Sequence, residues 1–287
     1  MYNPTLPNFL RSSRDVVDFV EVIPDMFWTD NGESHQPRFA ELDSWTSILR
    51  SLASDYPLIG HNIGLSLGSA GDPDAGYIDQ LVCWNRTFAQ QWHSDHLSFV
   101  RVHDEHGHAN NAGVAVPVPY DIEILDLIAA RVEAVQAAVP CTFLIENNVS
   151  YIDIPEQDMT EPEFLNALAL RTGCGLLLDV HNVYVNARNH GFDAAAFVDA
   201  IDLRRVVEIH IAGGSELAGM YTDSHSGACP DAVWELLEHV APRVPHLKAI
   251  TFEFHDSYFP LLGARGVRQQ IDRAREVWQR SCAGAIP

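Results

Sequence analysis

Short apolar runs rich in β-branched and aromatic residues recur along the whole chain, and most of them end in a histidine or a carboxylate. They are Asp18 to Ile23 (DFVEVI), Leu58 to Leu67 (LIGHNIGLSL), Leu97 to His103 (LSFVRVH), Thr142 to Ile145 (TFLI), Gly175 to Val180 (GLLLDV), Val206 to Ile211 (VVEIHI) and Ala249 to Phe254 (AITFEF). Between them lie segments of helical spacing. In Tyr120 to Ala138 the residues Ile122, Leu125, Ile128, Ala129 and Val132 recur on one face, and Pro162 to Arg171 and Asp231 to Ala241 read the same way. Strands apolar on both faces that alternate with helices predict a parallel sheet covered by helices. Seven or eight such units close most naturally into an α/β fold of the (β/α)8 TIM-barrel type, with its active site at the C-terminal ends of the strands. A doubly wound nucleotide-binding sheet would carry a glycine-rich turn, and neither GxGxxG nor GxxxxGK[ST] occurs. No linker, internal repeat or low-complexity tract divides the chain, so one domain over residues 1–287 is expected.

The ionisable residues at the strand ends carry the chemistry. His61 lies in the second run, His96 just before the third, Glu146 at the end of the fourth and Asp179 at the end of the fifth. His210 ends the sixth, Asp223 and His225 follow it in TDSHSG, Glu253 ends the seventh, and Glu21 belongs to the first. A charge at the end of a buried apolar strand costs several kcal/mol unless it is paired or binds a cation. One such residue reads as a satisfied core group, whereas a full ring of them reads as a metal centre. Imidazole and carboxylate without thiolate suit iron, manganese or zinc. Eight or more candidates exceed what one octahedral ion accepts, so two or three ions are expected, with Glu146, Asp179 or Glu253 as bridging carboxylates.

Other residues read more plainly. His103, His106 and His108 form an HDEHGH run expected to be a solvated loop, and His35, His239 and His246 are expected at the surface. Trp28, Trp84, Trp92, Trp234 and Trp278 are expected to pack in the core. With 18 Lys plus Arg against 39 Asp plus Glu, the net charge of −21 argues against a nucleic-acid or anionic-membrane surface. Five scattered cysteines without a CxxC pair argue against a disulfide framework. With neither a signal peptide nor an 18-residue apolar run, a soluble cytoplasmic protein is expected.

The segments HSDHLSF (His93 to Phe99), RVEAVQ (Arg131 to Gln136), LIENNVSY (Leu144 to Tyr151), LLLDVHNVYVNARNHGFD (Leu176 to Asp193), VEIHIAGG (Val207 to Gly214) and DSHSGACPDAVWELL (Asp223 to Leu237) resemble the multinuclear non-haem iron-dependent oxidative enzymes (MNIO), the MbnB-like proteins. The resemblance spans roughly Tyr2 to Ala274 and implies a xylose-isomerase-like TIM barrel. Carried over position by position, it implies metal ligands at His61, His96, Glu146, Asp179, Asn182, His210, Asp223, His225 and Glu253. Asn182 comes from the resemblance alone. It further implies two or three iron ions in a mixed Fe(II)/Fe(III) state, and dioxygen as co-substrate. The implied substrate is a ribosomal precursor peptide, modified most often at cysteine, with a separate partner protein that recognises its leader. Relatives begin with a GxGLxxR-type strand that this chain starts too late to contain, so the barrel is expected to lack or replace its first strand. His181 stands where many relatives have Asn, as a further ligand or a donor to one, and His255 and Asp256 compete for the polar position after Glu253. The rival readings are a zinc or manganese hydrolase or isomerase on the same barrel, and a non-catalytic metal- or peptide-binding scaffold.

Overall fold

Six of the seven apolar runs form parallel strands where the sequence expects them, and one is displaced. The computed structural model describes residues 5–103 and 109–283, so His106 and His108 lie outside the described residues. The parallel strands are β1 (Val20–Val22), β2 (Leu58–Asn62), β3 (Trp92–His96), β4 (Thr142–Glu146), β5 (Gly175–Asp179), β6 (Val206–Ala212) and β7 (Ala249–Glu253). The displaced strand is the third. Ser98–His103 instead pairs antiparallel with Ala109–Pro117 in a hairpin, and the parallel strand is the preceding Trp92–His96. WHSDH carries no apolar pattern, which hid it. Its polar residues His93, Ser94 and Asp95 are nevertheless buried, and each finds hydrogen bonds. Asp95 accepts from the backbone N–H of Leu65 (3.1 Å) and of His96 (2.7 Å), and Ser94 Oγ lies 2.8 Å from His61 Nδ1. The correction places His96 on the last residue of its strand.

Contacts divide the chain into two compact units. The first comprises Asp18–Glu146 with Leu168–Cys174. Its strands run in the order β1, β2, β3, β4, with His61 opposite Ser94 and His96 opposite Glu146 in register. The helix α1 (Thr5–Ser12) belongs to the other unit, while α2 (Asp43–Ala53), α3 (Ala75–Phe88) and α4 (Ile122–Ala138) fall between these strands. In α4 the stripe Ile128, Ala129, Val132 and Val135 is buried and packs on β4, whose Phe143, Leu144 and Ile145 are also buried. Trp28 and Trp84 meet edge-on at 5.4 Å within this core, and neither forms an open stacking platform.

The second unit holds β5, β6 and β7 in that order, with His210 opposite both Asp179 and Thr251 and with Ala212 opposite Glu253. α5 (Glu161–Thr172) leads into β5. Three helices follow: α6 (Val180–His190), α7 (Ala194–Ala200) and α8 (Asp231–Val240). α6 begins on the strand's own last residue: the Asp179 carboxylate accepts from the N–H groups of His181 and Asn182, and Gly191 closes the helix in the left-handed region (φ 76°). Val233, Trp234 and Leu237 of α8 are buried, and α8 packs on β6. The C-terminal helix α9 (Phe259–Ala283) carries a non-helical break at Gly263.

Between β2 and β3 the fold also buries a neutral histidine. His93 is 1% exposed, lies tilted against Phe143 (4.7 Å between ring centres) and receives the Asn62 amide at Nδ1 (3.0 Å). Burial pushes its pKa down to about 3, below the ordinary 6.5. The folded protein therefore keeps the ring neutral in a range where the unfolded chain protonates it. The contribution is complete above about pH 6.5 and is lost as pH falls toward 3, at a slope approaching roughly 1.4 kcal/mol per pH unit. Urea unfolding between pH 7 and 4 is expected to show a shallower loss of stability for His93→Leu than for the wild type, and parallel slopes would remove His93 from the acid sensitivity.

Candidate metal centre

In the first unit, three side chains from three adjacent strand ends converge. His61 is the fourth residue of β2, His96 ends β3 and Glu146 ends β4. The Nε2 atoms of His61 and His96 each lie 3.3 Å from the same Glu146 oxygen, Oε2, and the two rings are 4.6 Å apart. His61 and Glu146 are buried and His96 is half-buried. Each residue offers one ligand atom, and these atoms lie within 4.8 Å of one another. Two imidazoles turned onto one carboxylate oxygen fit a cation between them.

In the second unit Asp179, His210 and Glu253 likewise place ligand atoms within 4.8 Å of one another. His210 is fully buried, with Nδ1 3.1 Å from Glu253 Oε2 and Nε2 3.5 Å from Glu208 Oε1. Asp223 and His225 arrive on the loop after β6. The glycine pair in VEIHIAGG lets that loop return close to the strand, since a Cβ on Gly213 would meet Ala228 O at 2.6 Å and one on Gly214 would meet Thr222 O at 2.2 Å. His225 itself takes a positive φ of 48°, a strained conformation that aims its ring at Asp223. Its Nε2 donates to Asp223 Oδ1 at 2.9 Å and lies 3.7 Å from Glu253 Oε2. Asn182 donates Nδ2 to Asn147 O (3.1 Å), which leaves its Oδ1 as the atom it could offer an ion.

Charge is crowded here. Burial first, then repulsion from Asp223 and Glu253, raises the pKa of Asp179, which is fully buried. Burial works the same way on Asp223, yet His225 beside it and hydrogen bonds from His181 and His225 hold its carboxyl well below the usual range. Burial would lower the His225 pKa, but Asp223, Glu253 and Asp179 push it up to about 10. Asp179 Oδ1 is spent on capping α6, and Oδ2 has no hydrogen-bond partner among the described residues. A buried, partnerless carboxylate oxygen among repelling carboxylates fits a metal cation.

Of the nine residues expected from the sequence, six lie at or near strand ends, Asp223 and His225 lie on the loop after β6, and Asn182 lies in the first turn of α6; three belong to the first unit and six to the second. Sequence reasoning missed the residues around them. Glu208 is fully buried and held by the Thr251 hydroxyl (2.6 Å); its signal was its place two residues before His210, on the same face of a strand. Ser94 beside His61 and Tyr151, whose hydroxyl accepts from the Asp223 N–H (2.9 Å), carried no sequence signal. His181 is buried and donates Nδ1 to Asp223 Oδ1 (3.0 Å). His255 is exposed and turns to Ser257 Oγ (2.7 Å), while the Asp256 side chain lies outside the described residues.

Comparison with known proteins places this geometry. Residues 2–279 match the family of RiPP precursor modification enzymes MbnB/TglH/ChrH. The chain belongs to this family. A "UPF0276 protein" of Caulobacter vibrioides is 32% identical over 278 residues, covering 97% of this chain and 92% of that one. Another, of Chromobacterium violaceum, is 39% identical over 221 residues, 77% of each chain. Among solved structures, a xylose isomerase-like TIM barrel protein from Mycobacterium smegmatis in complex with magnesium aligns over 98% of this chain and 89% of its own, with TM-score 0.56 at 12% identity. Endonuclease IV from Thermus thermophilus aligns over 99% and 97%, with TM-score 0.56 at 13% identity. These likenesses show the fold: a xylose-isomerase-like TIM barrel.

If the crowding at Asp179 is relieved by metal, removing its charge must stabilise the metal-free protein. Asp179→Asn keeps a capping oxygen for α6. In excess chelator it is expected to melt at a higher temperature than the wild type, while losing bound metal. A lower melting temperature than the wild type under chelator would contradict this.

Proposed function

We propose that this member of the family uses two or three iron ions and dioxygen to oxidise a residue, cysteine foremost, in a ribosomally synthesised precursor peptide. The observation that carries the reading is the set of imidazoles and carboxylates gathered at the strand ends, beside the match to enzymes that modify such precursors. His61, His96 and Glu146 would hold one ion; Asp179, His210 and Glu253, with Asn182, Asp223 and His225, would hold the rest. When bound, iron supplies one-electron redox chemistry with dioxygen, which none of these side chains supplies.

The remaining work belongs to the chain's own residues. His61, Glu146, Asp179 and His210 are buried, which keeps bulk water from them. Tyr151 and His181 fix Asp223 from the backbone and the side-chain sides. The candidate set contains no thiolate. Cys229 is buried close enough to feel the Asp179 charge, and burial first, then that charge, raises its pKa so that it stays a thiol. A thiolate at the metal would therefore have to come from the substrate. The net charge of −21 disfavours a polyphosphate substrate and suits a leader or partner protein with a basic face, whose association weakens as salt rises. Among the described residues no helix is long and apolar enough to cross a membrane.

The test is reconstitution. Iron-loaded protein, incubated with a cysteine-containing precursor peptide and a leader-binding partner protein, is expected to give a mass change at cysteine in air and none under strict anaerobiosis. Equal modification without dioxygen, or with zinc in place of iron, would overturn the oxidative reading.

A further inference from the structure

We infer that Ser94 is a positioning residue for His61: its hydroxyl accepts the Nδ1 proton of His61 and gives its own proton to Gly60 O, so that His61 presents a bare Nε2 to a metal ion. The inference rests on the metal reading above and adds a residue to it. Ser94 Oγ lies 2.8 Å from His61 Nδ1 and 3.3 Å from Gly60 O, and Ser94 is fully buried. A hydroxyl has one proton to give. Once that proton goes to the carbonyl, which can only accept, the oxygen can only accept from the ring. His61 must then be the Nδ1–H tautomer, and its other nitrogen carries a lone pair.

The relay cannot drift, because the backbone beneath it is pinned. His61 and Ser94 are register partners across β2 and β3, and the Asn62 amide, itself fully buried, donates to Ser94 O at 2.9 Å. That Nε2 is the atom that points at Glu146 Oε2, 3.3 Å away, where the His96 Nε2 also arrives at 3.3 Å. A lone pair and a carboxylate at that distance repel unless a cation lies between them. Ser94 thus sets the ring angle and tautomer that make the three side chains a cation site, and groups that orient a ligand histidine in this way commonly govern affinity.

The experiment is an anaerobic titration of metal-free protein with Co(II), followed by its visible absorption, for the wild type, Ser94→Ala and Ser94→Thr. The equivalent of cobalt that disappears in His96→Ala identifies the ion of this triad. In Ser94→Ala that equivalent is expected to bind roughly 10–100-fold more weakly, with the other equivalents unchanged. Ser94→Thr, which keeps the hydroxyl, is expected to restore it. Nitrogen-15 histidine spectra of the zinc-loaded wild type are expected to show His61 protonated at Nδ1. Wild-type affinity in Ser94→Ala, or equal weakening of every equivalent, would overturn the role of Ser94 alone. A wild type that binds no cobalt would overturn the metal reading and this inference with it.

Discussion

Buried carboxylates repel one another, and the arrangement of this chain depends on how that repulsion is met. Asp223 and Glu253 stand close enough to Asp179 to raise its pKa, and Asp179 is out of reach of water. Removing a carboxylate from water costs several kcal/mol, and a second nearby adds to it. The protein supplies partial relief through His225, His181 and the N-terminus of α6, which takes Asp179 Oδ1 as its cap. Asp179 Oδ2 is left over. Under the proposed function a cation would complete the balance, and the sites would be built at a cost in stability that metal returns.

The fold makes such crowding possible because register, rather than sequence proximity, brings the groups together. His96 and Glu146 are register partners, as are His61 and Ser94, and as are His210 and Asp179. Each strand needs only one suitable residue near its C-terminal end. The loop after β6 adds two more, and it can return tightly only because Gly213 and Gly214 leave room for the carbonyls of Ala228 and Thr222. The strain at His225 is local and serves the same end.

Much of this was legible in the sequence. Apolar runs that end in charge are visible in FLIEN, LLLDVHN and VEIHIAG, and they yield the strands and their terminal residues together. What failed was the third strand. WHSDH is stabilised by a polar network among His61, Asn62, Ser94 and Asp95, and the contacts that make such a strand buried are spread over separate segments of the chain. The residues that orient the histidines escaped for the same reason: a serine or threonine becomes informative only when its neighbour in space is known. Glu208 was the exception, readable from its two-residue spacing before His210.

The central claim is that the buried charges at the strand ends are balanced by more than one metal ion. The direct measurement is the melting temperature of chelator-stripped protein as Fe(II) is added anaerobically, with bound iron counted at each step. The account predicts a stepwise rise that saturates only beyond one ion per chain and is reversed by chelator. A melting temperature indifferent to iron, or one that saturates at a single equivalent, would contradict it.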